Sequence, residues 1–358
     1  MVPRDHHHRT RRARSPHRTA RGRTRRGQRQ DPRAHRGTRR AEAPPRRARR
    51  EGRHRQGHGR RAGAGAEPVT ATVEAEAPRF VDGLAAESYH ADKTSISSTG
   101  LRALLAPGCP AQFKYDRDNP APPKREFDLG HAVHAAVLGE GCDIVEITGF
   151  SDYKKADARI LRDAAYAAGK VPLLPKEKLQ VDAMAKAVRE HRDAGPLLAP
   201  GMGIPERSIY WTDPATGVRC RARPDWLIIR PEVTVIVDLK TTTDANPEAC
   251  SKAIESYSYH QQGALYIDGV QAAGLAPEGA RFFYAFQSKK APYLITVREL
   301  ADQDQDIGRA RNERALRIYA ECEQTGIWPD WTGPVPTIPQ LGMPAWATIR
   351  QFEEYIGE

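Results

Sequence analysis

VRCRARPDWLIIRPEVTVIVDLK, residues 218–240, sets short β-branched and aromatic runs on either side of a turn. The run ending at Ile229 and the run starting at Val233 have the composition of strands, and Arg230, Pro231 and Glu232 between them are turn residues. Folding back at that turn lays the two segments side by side. It brings Asp225 and Asp238, with 12 residues between them, to the same end of a hairpin, where two carboxylates can share one hard cation. Asp238 and Lys240 are two apart in a strand and point to one face, so the lysine stands over the same spot.

Hydrolysis of a phosphodiester needs this combination. A carboxylate-held Mg²⁺ polarises the phosphate and lowers the pKa of the attacking water, and a further cation positions that water. On this reading Asp225 and Asp238 hold the metal, the Leu239 carbonyl adds a ligand, and Lys240 serves the water or the scissile phosphate. Glu206, at the start of the preceding strand, is a weaker candidate for a second metal or an orienting role. Taken alone, Asp-x-Lys also reads as a surface ion pair at the end of an edge strand.

Outward from this hairpin, ERSIYW (206–211) reads as a strand, making a meander of three with 218–229 and 233–240. A helix is expected from about Pro247 to Ala273. It carries Gln262 and Tyr266 four apart on one side, preceded by Tyr257 and Tyr259. Strands at 281–289 and 292–300 and a helix from about Asp302 to Gln324 follow. Upstream, Ser97 or Ser98 can cap a helix bearing Leu101, Leu104 and Leu105. Residues 128–140 repeat Leu129, Val133, Val137 and Leu138 at helical spacing with His134 inside, and 156–194 reads as further helix. The residues alone make His134 a buried helix histidine, and they leave Tyr266 as a core residue. Arg219, Arg221 and Arg223 alternate on the strand leading into Asp225. They read either as a phosphate grip or as a charged solvent face balanced by glutamates.

The 358-residue chain has 39% hydrophobic residues, enough for a core, and a formal charge of +11. The charge is unevenly distributed. Residues 1–67 hold 23 arginines against 5 acidic residues, a net +18, which leaves −7 for the remainder. Residues 1–75 are therefore expected to be a disordered tail. Such a tail attracts phosphates nonspecifically, or it is upstream sequence read from too early a start. His6, His7 and His8 read as incidental to it. A globular domain is expected over 76–358. Five scattered cysteines without a CxxC pair, and no secretory signal sequence, fit a reduced cytoplasm. No run approaches the roughly 18 apolar residues of a membrane span.

In order along the chain, LGHAVHAAVLG, RPDWLII, VIVDLKTT, YHQQGALY and GIWPDW resemble the RecE-type exonucleases, a PD-(D/E)XK group related to the RecB nuclease domain, over about residues 90–345. The resemblance implies an α/β (α+β) restriction-endonuclease-like core, a central mixed sheet flanked by helices, with a helical N-terminal part. It makes His134 a metal ligand, assigns Asp225, Asp238 and Lys240 the roles above, and makes Gln262 and Tyr266 a QxxxY pair beside DNA. Tyr259, Arg221 and Arg223 join them as candidate DNA contacts. The implied activity is a Mg²⁺-dependent exonuclease, with Mn²⁺ as substitute, acting on double-stranded DNA ends. The implied partners are a RecT-like single-strand annealing recombinase and further copies in a ring-like oligomer, commonly in phages. RecE relatives often carry a glutamate after the fourth strand, where this chain reads Phe286-Gln287-Ser288-Lys289. CRISPR-associated and AddB-type relatives hold an iron–sulfur cluster on four cysteines; Cys322 stands alone near the C-terminus, so no cluster is expected. The rival readings are an end-trimming repair or CRISPR-type nuclease and a catalytically silent DNA-binding protein.

Overall fold

The computed structural model describes residues 77–333 and 338–357. The Arg-rich tail and the His6–His8 run lie outside the described residues. The helical N-terminal part comprises β1 (Arg79–Val81), α1 (Ala86–Ala91), α2 (Ser98–Ala103), α3 (Pro110–Asp118), α4 (Asp128–Leu138), β2 (Ile144–Glu146), α5 (Ala156–Ala167), β3 (Val171–Leu173), α6 (Pro175–Glu190) and α7 (Ala194–Leu197). Then come β4 (Ile204–Pro205), β5 (Ser208–Thr212), β6 (Arg219–Ala222), β7 (Trp226–Ile229), β8 (Thr234–Thr242), α8 (Pro247–Ser256), α9 (Tyr259–Ala272), β9 (Ala280–Ser288), β10 (Ile295–Glu299), α10 (Asp302–Thr325) and α11 (Ala345–Tyr355).

Five strands form the central sheet in the order β10-β9-β8-β7-β4. It is mixed: β8 runs parallel to β9, with Asp238 opposite Tyr284, and antiparallel to β7, with Val237 opposite Trp226. A central strand buried on both sides reads as a near-continuous apolar run, which is the pattern of β8. Its even-numbered positions face α9 and α10: Ile236 packs in one cluster with Phe282, Tyr284, Leu265 and Leu316. Its odd-numbered positions face the other way, where Val237 and Leu239 pack with Val133 of α4 and Met184 of α6. The alternation is forced by the two-residue period of a strand, and it decides which helix each functional side chain meets. On the α9 side the approach is close. A Cβ at Gly263 would lie 2.6 Å from Leu300 Cδ2, so glycine is what lets that helix settle on the sheet.

Three expectations are corrected. The segment 218–229 is two strands, because Pro224 cannot donate a ladder hydrogen bond; β6 pairs with β5 in a three-stranded sheet with β1, and β7 joins the central sheet. The run 156–194 is not one helix, since Gly169 turns the chain at φ +68° and Val171–Leu173 pairs in parallel with β2. The helix drawn from Pro247 to Ala273 is two, α8 and α9, broken at Ser258, whose φ is +50°. The capping expectation holds: Ser97 Oγ accepts from the Gly100 N–H. All five cysteines are free thiols, and no helix among the described residues is long and apolar enough to cross a membrane.

Candidate active site

Asp225 follows Pro224 at the point where the chain leaves β6 and enters β7. The antiparallel register carries it alongside Asp238, and its Oδ2 accepts the Leu239 N–H at 2.7 Å. Its own carbonyl accepts the Glu206 N–H at 3.2 Å. Glu206 sits between β4 and β5 with φ +48°, a left-handed conformation that costs a non-glycine residue of order 1–2 kcal/mol. Arg223 holds it there: Nε donates to the Glu206 carbonyl at 3.1 Å and lies 3.6 Å from its Oε2. His134 arrives from α4, with Nδ1 at 3.6 Å from Asp225 Oδ2. The first turn of α4 passes close to β8, since a Cβ at Gly130 would meet Thr241 Oγ1 at 3.1 Å.

One ligand atom each from His134, Glu206 and Asp225 lies within 4.8 Å of the others. The structure therefore promotes Glu206 from a peripheral candidate to a member of the central trio, and it selects His134 over His131, which pairs with Phe127 at 6.4 Å instead. Asp238 stands just behind the trio, fully buried. Its Oδ1 accepts from Gln262 Nε2 at 3.0 Å, and its Oδ2 is ion-paired with the Lys240 ammonium. The expectation that Asp225 and Asp238 converge directly is thus met in position, but in this arrangement Asp238 is turned toward Lys240 and Gln262.

The electrostatics are those of too many carboxylates for the charge present. Burial, then the neighbouring Asp225, pushes the Glu206 carboxyl up to about 8, with Arg223 only partly offsetting it. Burial and Asp225 likewise raise Asp238 to about 6 against the pull of Lys240. Burial alone would depress the Lys240 ammonium, yet Asp238 and Asp225 outweigh it and hold its pKa above the ordinary value. An imidazole and hard carboxylates around a shortage of positive charge suit a divalent cation. The donor set present fits one.

Four candidate DNA contacts, Arg221, Arg223, Gln262 and Tyr266, do not line the cleft. Arg221 and Arg223 do share one face, but the segment before α2 covers it. Arg221 Nη1 donates to the Asp92 carbonyl at 2.8 Å and to Ser95 Oγ at 3.0 Å. Arg223 Nε donates to Ser208 Oγ at 3.0 Å. Both guanidiniums lie over the Tyr89 ring, at 5.1 and 4.8 Å. Tyr266 is buried against Phe282 at 6.1 Å, so the core reading of that residue is the one realised. Gln262 is also buried and grips Asp238. Tyr259 does reach the site, its ring centroid 4.8 Å from Lys240 Nζ. A cleft of about 950 Å³ opens over His134, Lys240 and Tyr259, lined also by Arg102, Phe127, Tyr257 and Lys289. Sequence reading missed Arg102, Phe127 and Lys289, which lie on unrelated segments with no local pattern to mark them.

Comparison with known proteins bears on the fold and the family. A protein of known structure described as "Putative exonuclease", from Eubacterium rectale, superposes with a TM-score of 0.50 at 14% identity, over 77% of this chain and 99% of that one. At that identity the likeness concerns the fold alone. A second structure, SSO0001, aligns with a TM-score of only 0.25 at 12% identity, over 54% of this chain and 85% of that one. No curated protein matches. A family profile matches residues 97–338, more than half of the chain and the whole span from α2 through α10, and by that match the chain belongs to the PDDEXK-like domain family of unknown function, DUF3799.

Proposed function

We propose that the protein is a divalent-metal-dependent deoxyribonuclease that hydrolyses phosphodiester bonds from double-strand ends. One observation carries the reading: ligand atoms of His134, Glu206 and Asp225 within 4.8 Å of one another, directly beside the Asp238–Lys240 ion pair. His134, Glu206 and Asp225 would hold the cation, with Asp238 and the Leu239 carbonyl as further ligands. Mg²⁺, or Mn²⁺ in its place, would supply Lewis acidity toward the phosphate and a lower pKa for the attacking water.

The protein's own groups do the rest. Gln262 fixes Asp238, and the Leu239 N–H fixes Asp225, so neither carboxylate has to reorganise during the reaction. Lys240 keeps its proton and, with the Asp238 charge shared with the cation, its ammonium would be free to donate to the attacking water or to a nonbridging phosphate oxygen. Hydrolysis adds the water oxygen to phosphorus, breaks one P–O ester bond and leaves one phosphate and one hydroxyl end. The wider role proposed is a RecE-like one: exposing single strands for a RecT-like annealing protein, with several copies acting as a ring.

The test is an end-labelled linear duplex beside a closed circle, incubated with Mg²⁺ and wild-type protein or Asp238→Ala. Loss of the linear DNA alone, abolished by the substitution, supports an exonuclease. Equal cutting of the circle makes it an endonuclease, and binding without cleavage in either Mg²⁺ or Mn²⁺ moves the assignment to a silent DNA-binding protein.

A further inference from the structure

The cleft contains an aromatic column that the hydrolytic chemistry does not use. The ring of Tyr257, at the end of α8, is 62% exposed and stacks on Tyr259 with centroids 5.4 Å apart and planes at 29°. Tyr259 stacks in turn on Tyr284 of β9, at 5.8 Å and 29°, and it is this ring that Lys240 overlies. The column thus runs from the core to solvent and ends beside the candidate reaction centre with one face uncovered.

The backbone that carries Tyr257 is held. Its N–H donates to the Ala253 carbonyl at 3.0 Å, its carbonyl accepts from Arg102 Nη1 at 2.7 Å, and Arg102 is tied to Thr99 Oγ1 at 3.0 Å. The left-handed Ser258 then redirects the chain into α9. A ring presented in this way needs little ordering to accept a flat partner. Phe127, also exposed, lines the same cleft, and Arg102, Lys240 and Lys289 give it positive charge.

We propose that the cleft takes an unpaired DNA strand, with a base stacked on Tyr257 while the backbone beside it reaches Lys240. The identity of the strand as substrate rests on the nuclease reading above. Inside a duplex each base face is covered by its neighbours and only the terminal pair leaves one open, so an exposed aromatic side chain beside the cations of the cleft finds a free face along the whole of an unpaired strand but at a single pair of a flush duplex. Stacking surfaces interleaved with cations are the pattern of single-strand sites. It follows that a duplex end is opened before a phosphodiester reaches Asp225 and Lys240, and that frayed or overhanging ends are taken in preference to flush ones.

The experiment measures fluorescence anisotropy of a labelled single-stranded oligonucleotide and an abasic one of equal length with the full chain, in an Asp225→Asn background that cuts nothing. Adding Tyr257→Ala is expected to weaken binding of the base-bearing strand by about 10-fold or more and to leave the abasic strand unaffected; Tyr257→Trp keeps the affinity of the parent. An equal loss on both strands, no loss on either, or no preference for bases in the parent overturns the proposal. Cleavage by wild-type protein is scored separately. Base-dependent binding with no cleavage would retain the platform and remove the nuclease reading; cleavage with Tyr257→Ala binding unchanged would do the reverse.

Discussion

Glu206→Gln should stabilise the metal-free protein and at the same time remove its response to metal. In the folded chain burial and Asp225 raise Glu206 from an ordinary 4.5 to about 8. Below the unfolded value both states hold the proton and there is no penalty. As pH rises through that window the unfolded chain releases the proton while the folded chain keeps it, so stability falls, and above about 8 the full penalty is present. At about 1.4 kcal/mol per pKa unit the penalty is roughly 3–5 kcal/mol. Glutamine keeps the shape without the charge, and Arg223 retains Ser208 Oγ and the backbone carbonyl at position 206 as acceptors. In EDTA at about pH 9 the variant should melt above wild type by about 5–10 °C, and the gap should close near pH ~4.5. Calorimetry across that range reads both. Saturating Mg²⁺ at ~100 times its Kd should then raise the wild type by about 2.7 kcal/mol and the variant far less. A variant that melts at or below wild type in EDTA at the alkaline end would refute the argument that uncompensated carboxylate charge defines this site.

Lys240→Ala should reduce cleavage by at least about 100-fold while leaving the Mg²⁺-induced rise in melting temperature in place; a proportional loss of both would make Lys240 a structural partner of Asp238 only. Gly130→Val should push α4 off Thr241, at a cost of about 1–3 kcal/mol, and blunt the metal-induced stabilisation by displacing His134, whereas circular dichroism should stay native. Arg221→Met should cost about 2–4 kcal/mol in denaturant unfolding through the carbonyl and hydroxyl groups it leaves unpaired; unchanged stability with weakened DNA binding would restore the phosphate-grip reading. Gln262→Leu should free Asp238 to rotate, lowering the cleavage rate at saturating DNA by a factor of about 10 or more with folding intact.

Much of this was legible in the chain. The run 233–240 is apolar on alternate and adjacent positions alike, as a doubly covered strand must be, and the turn at 230–232 sets Asp225 beside Asp238. The helix at 128–140 was marked by periodicity, and the resemblance singled out His134 within it. Both are local properties: a strand repeats every two residues, a helix every 3.6 or so, and the near neighbours that reveal the period are also near in sequence. Lys240 over the site follows from the same arithmetic.

What no local pattern could reveal is what covers each face. Arg219, Arg221 and Arg223 alternate whether that face meets solvent, DNA or, as here, buried partners distant in sequence: the Asp92–Ser95 segment for Arg221, and Leu84 and Ser208 for Arg223. Glu206 had only its place ahead of a strand to recommend it, and it entered the site because the Asp225 carbonyl captures its N–H while Arg223 donates to its carbonyl and pairs with its carboxylate. Tyr266 and Tyr257 are both tyrosines near one glutamine, yet one is core and the other is exposed, because α8 and α9 break at Ser258 instead of running on. Residue type and spacing determined the strands, the helix of His134 and the chemistry of the central pair. Only the long-range packing, which sets burial and hence charge state and access, decided which side chains gather as candidate metal ligands and which merely hold the fold.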